Sequence, residues 1–279
     1  LTVQSLARLP LDADAFARRY GPWAVIAGAS EGTGACYARA LAAMGFNLLL
    51  VSRRLHALKA LGAELTAEYG VAVHPLALDL AELDAGLKIV EAAAGLDVGL
   101  YVSNAGADNF ARFFEDETEG AHRLVRMNIS TLIDAAHGFG RGFLARGSGG
   151  IIVMASGAGL GGQPNLALYS ATKAFEINFA ESLWAEYNER GIDVIGIAAP
   201  LMKTPMLLRT VPQGFDLSAA FDPADVVHNA LAGLLAGEPL QIVPDGPGKE
   251  SQPQVEAARK ARLQGFVEFN KMFTEGSGA

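Results

Sequence analysis

The chain has 279 residues, 51% of them hydrophobic and 19% charged, enough for one large α/β domain with a substantial core. Its formal net charge of −8 argues against a nucleic-acid surface built on a basic patch and leaves a small neutral substrate open. The lone cysteine, Cys36, excludes an intramolecular disulfide, fits a reducing compartment, and is read as an inert thiol on a helix.

No signal peptide is read at the N-terminus, although the start at Leu1 is compatible with a missing initiator or short leader; the expected location is cytoplasmic. Residues 1–20 read as an extension ahead of the first strand. Beyond them, short apolar runs alternate with longer helical patterns. Strands are expected at Trp23–Ala27, Asn47–Ser52, Ala72–Ala77, Gly99–Ser103, Gly150–Ala155, Asp193–Ala198 and Leu240–Val243. Most are continuous Val/Ile/Leu/Ala runs, the pattern of strands covered on both faces. Helices are expected near 33–44, 54–69, 81–94, 118–146, 168–190 and 223–236, with Gly45, Gly70 and Gly191 closing three of them. This alternation predicts right-handed βαβ crossovers and a single Rossmann-type α/β domain over 1–279, with a doubly wound parallel sheet of about seven strands and helices on both faces.

Two segments break the alternation. Leu201–Phe221 holds Pro205, Pro212 and Gly214 among Met202, Met206, Leu207, Leu208 and Phe215, and a connection of this length is usually functional, so 201–222 is read as a mobile substrate loop. The tail at 246–279 opens on a Pro/Gly turn, and its Val255, Ala258, Phe266, Phe269 and Phe273 predict a docked amphipathic helix. The uncharged stretch Gly147–Thr172 is broken by glycines, Gln163, Pro164 and Asn165 and is not read as a membrane span. The five histidines show no ligand spacing, so no metal site is expected.

The chemistry-bearing residues follow the same chain order. Gly28-Ala29-Ser30-Glu31-Gly32-Thr33-Gly34 follows the first strand and opens a helix, where glycines let the backbone approach a pyrophosphate and the helix N-terminus meets its charge. After the second strand stand Ser52, Arg53 and Arg54. With no carboxylate there to repel a 2′-phosphate and guanidinium groups to pair with it, NADP is expected over NAD. The plain alternative is two solvated arginines at a helix start, and Glu31 is uncomfortable beside a phosphate unless it points away. Tyr169 is followed four residues later by Lys173, with Ser156 upstream. A phenol is a poor acid–base at neutral pH, since its ordinary pKa is about 10. An ammonium one helical turn away stabilises the phenolate, and a serine hydroxyl beside it can hold a carbonyl oxygen while the proton moves.

The ordered set of the glycine motif, Asp79-Leu80, Asn104-Ala105-Gly106, Asn128, Ser156 and Tyr169-Ser170-Ala171-Thr172-Lys173 resembles the short-chain dehydrogenase/reductase family over roughly residues 20–243. The stretch Tyr20–Ile26, with Ser52-Arg53 and Tyr169–Phe175, is also similar to the branch holding 17β-hydroxysteroid dehydrogenase-like and long-chain 3-ketoacyl reductases. The resemblance implies that Asp79 and Leu80 contact the adenine region, that Asn104, Ala105 and Gly106 flank the cofactor, that Lys173 also binds its ribose, and that Asn128 holds a water in a proton relay to Lys173. Pro200 and Thr204 would approach the nicotinamide. Two departures stand out. Ala27 replaces a threonine before the glycines, and Pro200-Leu201 replaces Pro-Gly, with Thr204 one residue closer to the proline than the family pattern has it, which puts the carboxamide contact of Thr204 in doubt.

The implied function is NADP(H)-dependent interconversion of a ketone and a secondary alcohol on a largely apolar small molecule, with Ser156, Gly157, Tyr169, Met202, Met206 and Leu207 around the substrate. A nucleotide-sensing protein without turnover, an NAD-dependent alcohol dehydrogenase of the same fold, and an epimerase or dehydratase are the competing readings. Phe175, Ile177, Phe179, Leu183, Trp184 and Tyr187 spread around more than one face of their helix, so a homodimer or homotetramer is expected.

Overall fold

The computed structural model describes residues 4–107, 110–115, 117–211, 213–214, 216–243 and 252–274. Strands β1 (Trp23–Ala27), β2 (Asn47–Ser52), β3 (Val73–Ala77), β4 (Val98–Ser103), β5 (Gly149–Met154), β6 (Ile192–Ala198) and β7 (Leu240–Ile242) form one parallel sheet in the order 3-2-1-4-5-6-7. Each strand lies within one residue of its expected bounds. The order reverses between β1 and β4, the switch point at which a doubly wound sheet opens a crevice beyond its strand C-termini.

Alternate residues of each strand feed two cores, as the two-residue period of a strand requires. Ala24, Ile26, Leu48, Leu50, Leu100 and Ile152 face one side, where α2 (Gly32–Ala43), α3 (Leu55–Tyr69) and α9 (Pro223–Leu235) cover them with Tyr37, Leu41, Leu58 and Leu231. Val25, Leu49, Val51, Tyr101, Ile151 and Val153 face the other, under α4 (Ala85–Ala92), α6 (Thr131–Arg146) and α7 (Ala167–Tyr187). The outer strand β3 is largely exposed and carries Pro75, which an edge strand tolerates because no ladder hydrogen bond is lost.

Four features differ from the sequence expectation. First, the N-terminal segment is part of the core. Helix α1 (Ala13–Tyr20) is capped by Asp12, which accepts from the Ala15 amide at 2.9 Å, and buries Phe16 and Tyr20 completely. The Tyr20 hydroxyl donates to Asp193 on β6 at 2.7 Å, while Ser5, Leu6 and Arg8 bond Asp225 on α9. Second, the expected helix at 118–146 is α5 (Thr118–Val125) and α6 joined by a π turn at Arg126–Ser130.

Third, the connection after β6 carries a short helix, α8 (Pro205–Thr210), capped by Thr204 with Pro205 in its first turn, and bridges from Gln4 and Met202 to Phe221 pin its far end. Pro212 and Phe215 lie outside the described residues. Fourth, the tail helix α10 (Gln252–Thr274) forms, but Val255 and Ala258 are not part of its contact, while Leu263 packs against the core. Val255 is 40% exposed and Ala258 is exposed too, while Arg259 pairs with Glu181 on α7 and Lys260 with Glu238 at 2.8 Å. The side chains of Phe266, Phe269 and Phe273 lie outside the described residues. Glu256 accepts from the Ile242 amide, which covers the otherwise open edge at β7. Among the described residues no helix is long and apolar enough to cross a membrane, and no group of side chains has metal-ligand clustering.

Candidate active site

An open cleft of about 990 Å³ lies at the C-terminal ends of the strands around the switch point. Its floor is the turn after β1. Gly28 has φ +83°, and a Cβ there would stand 2.8 Å from the Ala105 backbone, so the Asn104-Ala105-Gly106 turn after β4 packs directly beneath it. Asn104 fixes that contact by donating to the Gly28 carbonyl at 3.0 Å. A Cβ at Gly34 would fall 2.1 Å from the same carbonyl, so glycine is what lets α2 begin this close to the turn. The first turn of α2 therefore opens on the cleft, and a helix N-terminus is a natural seat for a phosphate. Gly28, Ser30, Gly32 and Thr33 line the cleft; Gly34 is buried beneath it.

The arginines frame the end beside β2. Ser52 accepts from the Arg54 amide at 3.1 Å, and the Arg54 guanidinium reaches Ser30 Oγ at 2.9 Å. Arg53 is exposed and lines the same cleft. Glu31 pairs with Arg54 at 2.9 Å and with Arg209 of α8. Those partners, Arg209 foremost, hold the Glu31 carboxyl below its ordinary range despite partial burial. The carboxylate therefore meets two guanidinium groups and ties α8 to the glycine turn.

Leu78 and Leu80 line the cleft beyond β3, whereas the Asp79 carboxylate is held by Arg123 at 2.9 Å and by the Ala81 amide at 3.0 Å. Asp79 is thus placed at the cleft margin with its charge already partnered, and Arg123 first of all keeps its carboxyl low.

The chemical end is built from β5 and α7. Ser156 follows β5 and caps a 3₁₀ turn, Gly157–Leu160, by accepting from the Ala158 amide at 3.2 Å. Tyr169 and Lys173, one turn apart on α7, come to the same cleft as Ser156 and Gly157. The Lys173 nitrogen lies 5.7 Å from the centre of the Tyr169 ring. It is buried, and Gly106 leaves it room, since a Cβ there would stand 3.1 Å from that nitrogen. Its ammonium donates to the Met154 carbonyl at 2.9 Å and to both oxygens of Glu176, at 3.0 and 2.8 Å. Burial works against the charge, but Glu176 and Tyr169 outweigh it and hold Lys173 above its ordinary range.

Asn128 is 2% exposed in the π turn and does not line the cleft. Its side chain exchanges hydrogen bonds with the Ala107 backbone, both at 3.2 Å, and donates to Thr172 Oγ1 at 3.0 Å. It therefore ties the turn after β4 to α7, next to Lys173 rather than bonded to it. A π turn widens a helix locally, a feature frequent at functional sites.

Pro200, Leu201, Met202, Thr204, Met206 and Leu207 form the wall after β6, so the altered proline spacing still leaves Thr204 on the cleft. Its hydroxyl accepts from the Leu207 amide at 3.2 Å, and Gly32 lies against it. Gln163 and Leu166, not singled out in the sequence, also line the cleft. Glu176 was missed altogether, although its three-residue spacing from Lys173 puts both on one helix face.

These residues fit a dinucleotide: glycine-permitted backbone approach, helix-terminal amides for phosphates, and arginines at one end. Residues 22–213 match the short chain dehydrogenase family. The chain is 29% identical to 7beta-hydroxysteroid dehydrogenase of Collinsella aerofaciens over 237 residues, covering 84% of this chain and 89% of that protein. It is 33% identical to 17-beta-hydroxysteroid dehydrogenase type 3 of Mus musculus over 193 residues, 68% of this chain and 63% of that one. Its fold matches a solved short-chain dehydrogenase from Sphingobium yanoikuyae in complex with NADPH with a TM-score of 0.77 at 29% identity, over 88% of this chain and 96% of the other. A glycine turn, a Ser–Tyr–Lys cluster on one cleft and this breadth of similarity converge: the chain belongs to the short-chain dehydrogenase family.

Proposed function

We propose that this member of the family is an NADP(H)-dependent oxidoreductase interconverting a ketone and a secondary alcohol on a bulky, largely apolar small molecule. The observation that carries the reading is the meeting of Ser156, Tyr169 and the buried Lys173 with the glycine turn on a single cleft. The bound nicotinamide would supply or accept the hydride at the carbonyl carbon. Ser156 holds the substrate oxygen. Tyr169 donates its phenolic proton to that oxygen as the alcohol forms, and takes it back in oxidation. Lys173 supplies positive charge beneath the phenol and would bind the ribose by turning one of its hydrogens away from Glu176 or the Met154 carbonyl. Asn128 keeps the Ala107 turn and α7 in register, beside the path by which the phenol would be re-protonated.

Arg53 and Arg54 favour a 2′-phosphate, and the NADPH complex of the Sphingobium relative supports that choice. The apolar wall of Met202, Met206 and Leu207, with glycines beside Ser156, suits a bulky ketone, and the hydroxysteroid names of the relatives point the same way. We read the chain as one catalytic domain in the cytoplasm, with the connection at 201–222 covering the substrate. The half-buried Phe175 and Phe179, stacked 5.4 Å apart on α7, favour a homodimer or homotetramer.

The test is a spectrophotometric screen at 340 nm of NADPH oxidation with ketones of graded size and of NADP reduction with the matching alcohols. Turnover that favours NADPH and bulky aryl or steroid-like ketones is expected. No turnover with any pair would return the chain to nucleotide sensing, and a preference for NADH would overturn the role of the arginines.

A further inference from the structure

The mechanism leaves one buried ionisable side chain beside the reacting groups without a role. Glu176 lies on α7 three residues beyond Lys173 and is 2% exposed. An ammonium has three hydrogens, and those of Lys173 are directed to the two Glu176 oxygens and the Met154 carbonyl. Burying both charges is costly, and apolar side chains of similar volume could fill such a site without that cost.

The charged side chains that neighbouring elements bring toward α7 are engaged elsewhere. Arg259 of α10 pairs with Glu181, Arg123 of α5 with Asp79, Asp193 of β6 with Arg19, and Arg126 of the π turn with Glu119. Strand β5 contributes the Met154 carbonyl, while β7 and the 3₁₀ turn after Ser156 carry no ionisable side chain. Among the described residues, Lys173 is the group acting on Glu176, and Tyr169 lies beyond it, two turns from Glu176 along the same face.

We propose that Glu176 is a positioning residue that pairs with Lys173 so that Tyr169 meets an ion pair rather than a bare ammonium, which sets the pH range over which the phenol exchanges its proton. This rests on the assignment of Tyr169 as the group that transfers the proton. In reduction the phenol O–H breaks, the alcohol O–H forms, and the phenolate then regains a proton from solvent. Oxidation needs the phenolate at the outset. A bare ammonium stabilises the phenolate strongly, whereas a neutralised pair does so less. Pairing with Glu176 thus weakens the pull of Lys173 on the phenol. Burial pushes the Glu176 carboxyl up to about 7 against the pull of Lys173, so the ionised pair gains population as pH rises into the alkaline range in which oxidation is measured.

The experiment is the pH profile of kcat/KM for alcohol oxidation with NADP, in the wild type and in Glu176→Gln. A unit charge ~10 Å from the phenol, at an effective dielectric constant of ~20, moves such a limb by about one pH unit. The acid limb of Glu176→Gln is expected about one unit below that of the wild type, with Glu176→Asp keeping the wild-type limb. A folded Glu176→Gln whose limb coincides with the wild type overturns the proposal. If that variant does not fold, Glu176→Met is read in the same way. Full activity of Tyr169→Phe is a different failure: it removes the underlying assignment, and the inference with it.

Discussion

Arg53 and Arg54 are adjacent in sequence, yet their surroundings predict unequal roles in cofactor choice. The Arg54 guanidinium is 49% exposed and already shared between Glu31 and Ser30. A 2′-phosphate arriving there would displace part of an existing ion pair, and exposed pairs of this kind are worth about 0–1 kcal/mol. Arg53 lines the cleft without drawing on Glu31. A charge-assisted contact to phosphate is worth roughly 1.5–3 kcal/mol, which is about 10- to 100-fold in binding. Arg53→Ala should therefore raise KM for NADPH by about 10- to 100-fold and leave NADH nearly unchanged, because NADH has no 2′-phosphate to lose. Arg54→Ala should cost less, about tenfold or below, since what this guanidinium gains from the phosphate is offset by what it gives up with Glu31. The assay is initial-rate kinetics with each cofactor at a saturating ketone concentration. Equal effects of Arg53→Ala on NADPH and NADH would show that this guanidinium is only solvated, and the reading of the β2 end would fall.

Other parts of the account are open to direct test. Phe16→Ala should destabilise the fold by about 3–5 kcal/mol in denaturant titration, because its ring is fully buried against Tyr20 and Phe46; a change near zero would mean that α1 is a dispensable extension. Arg123 foremost lowers the Asp79 carboxyl, so that pair stabilises the fold above about pH 4 and its contribution fades as pH falls through the lowered value. Asp79→Asn should accordingly flatten the acid side of the Tm–pH curve, and an unaltered curve would refute the linkage. Sedimentation at micromolar concentration should show a dimer or larger; a monomer would leave the outer face of α7 unexplained.

The sheet was legible because its central strands are covered on both faces, and a run such as Leu48–Val51 has nowhere else to go. The alternation with helices announced a doubly wound parallel sheet, whereas the strand order, and with it the switch point between β1 and β4, is a property of the fold that alternation alone leaves open. Helix α1 is not distinguished when residues 1–20 are read simply as an extension; Asp12 as a cap and the four-residue spacing of Phe16 and Tyr20 are its signals. Thr204-Pro205 likewise announced α8, a capping residue before a first-turn proline, inside what looked like loop. At the start of α10 the docking departs from apolar spacing, since Arg259 and Lys260 pair with α7 and Glu238 while Val255 and Ala258 stay exposed. Glu176 was hidden for a related reason. A carboxylate on a helix reads as solvent-facing, and only the packing of α7 against β5 and the π turn puts it with Lys173 in the interior.

The central claim is that Tyr169 moves the proton in an NADPH-linked ketone reduction. It is tested most directly by comparing wild type and Tyr169→Phe on a bulky ketone while measuring NADPH binding to both by fluorescence. Removing a positioned acid typically costs 10²- to 10⁴-fold in rate, so the account predicts a loss of about that size with NADPH affinity nearly intact. Turnover within a few-fold of wild type would contradict it.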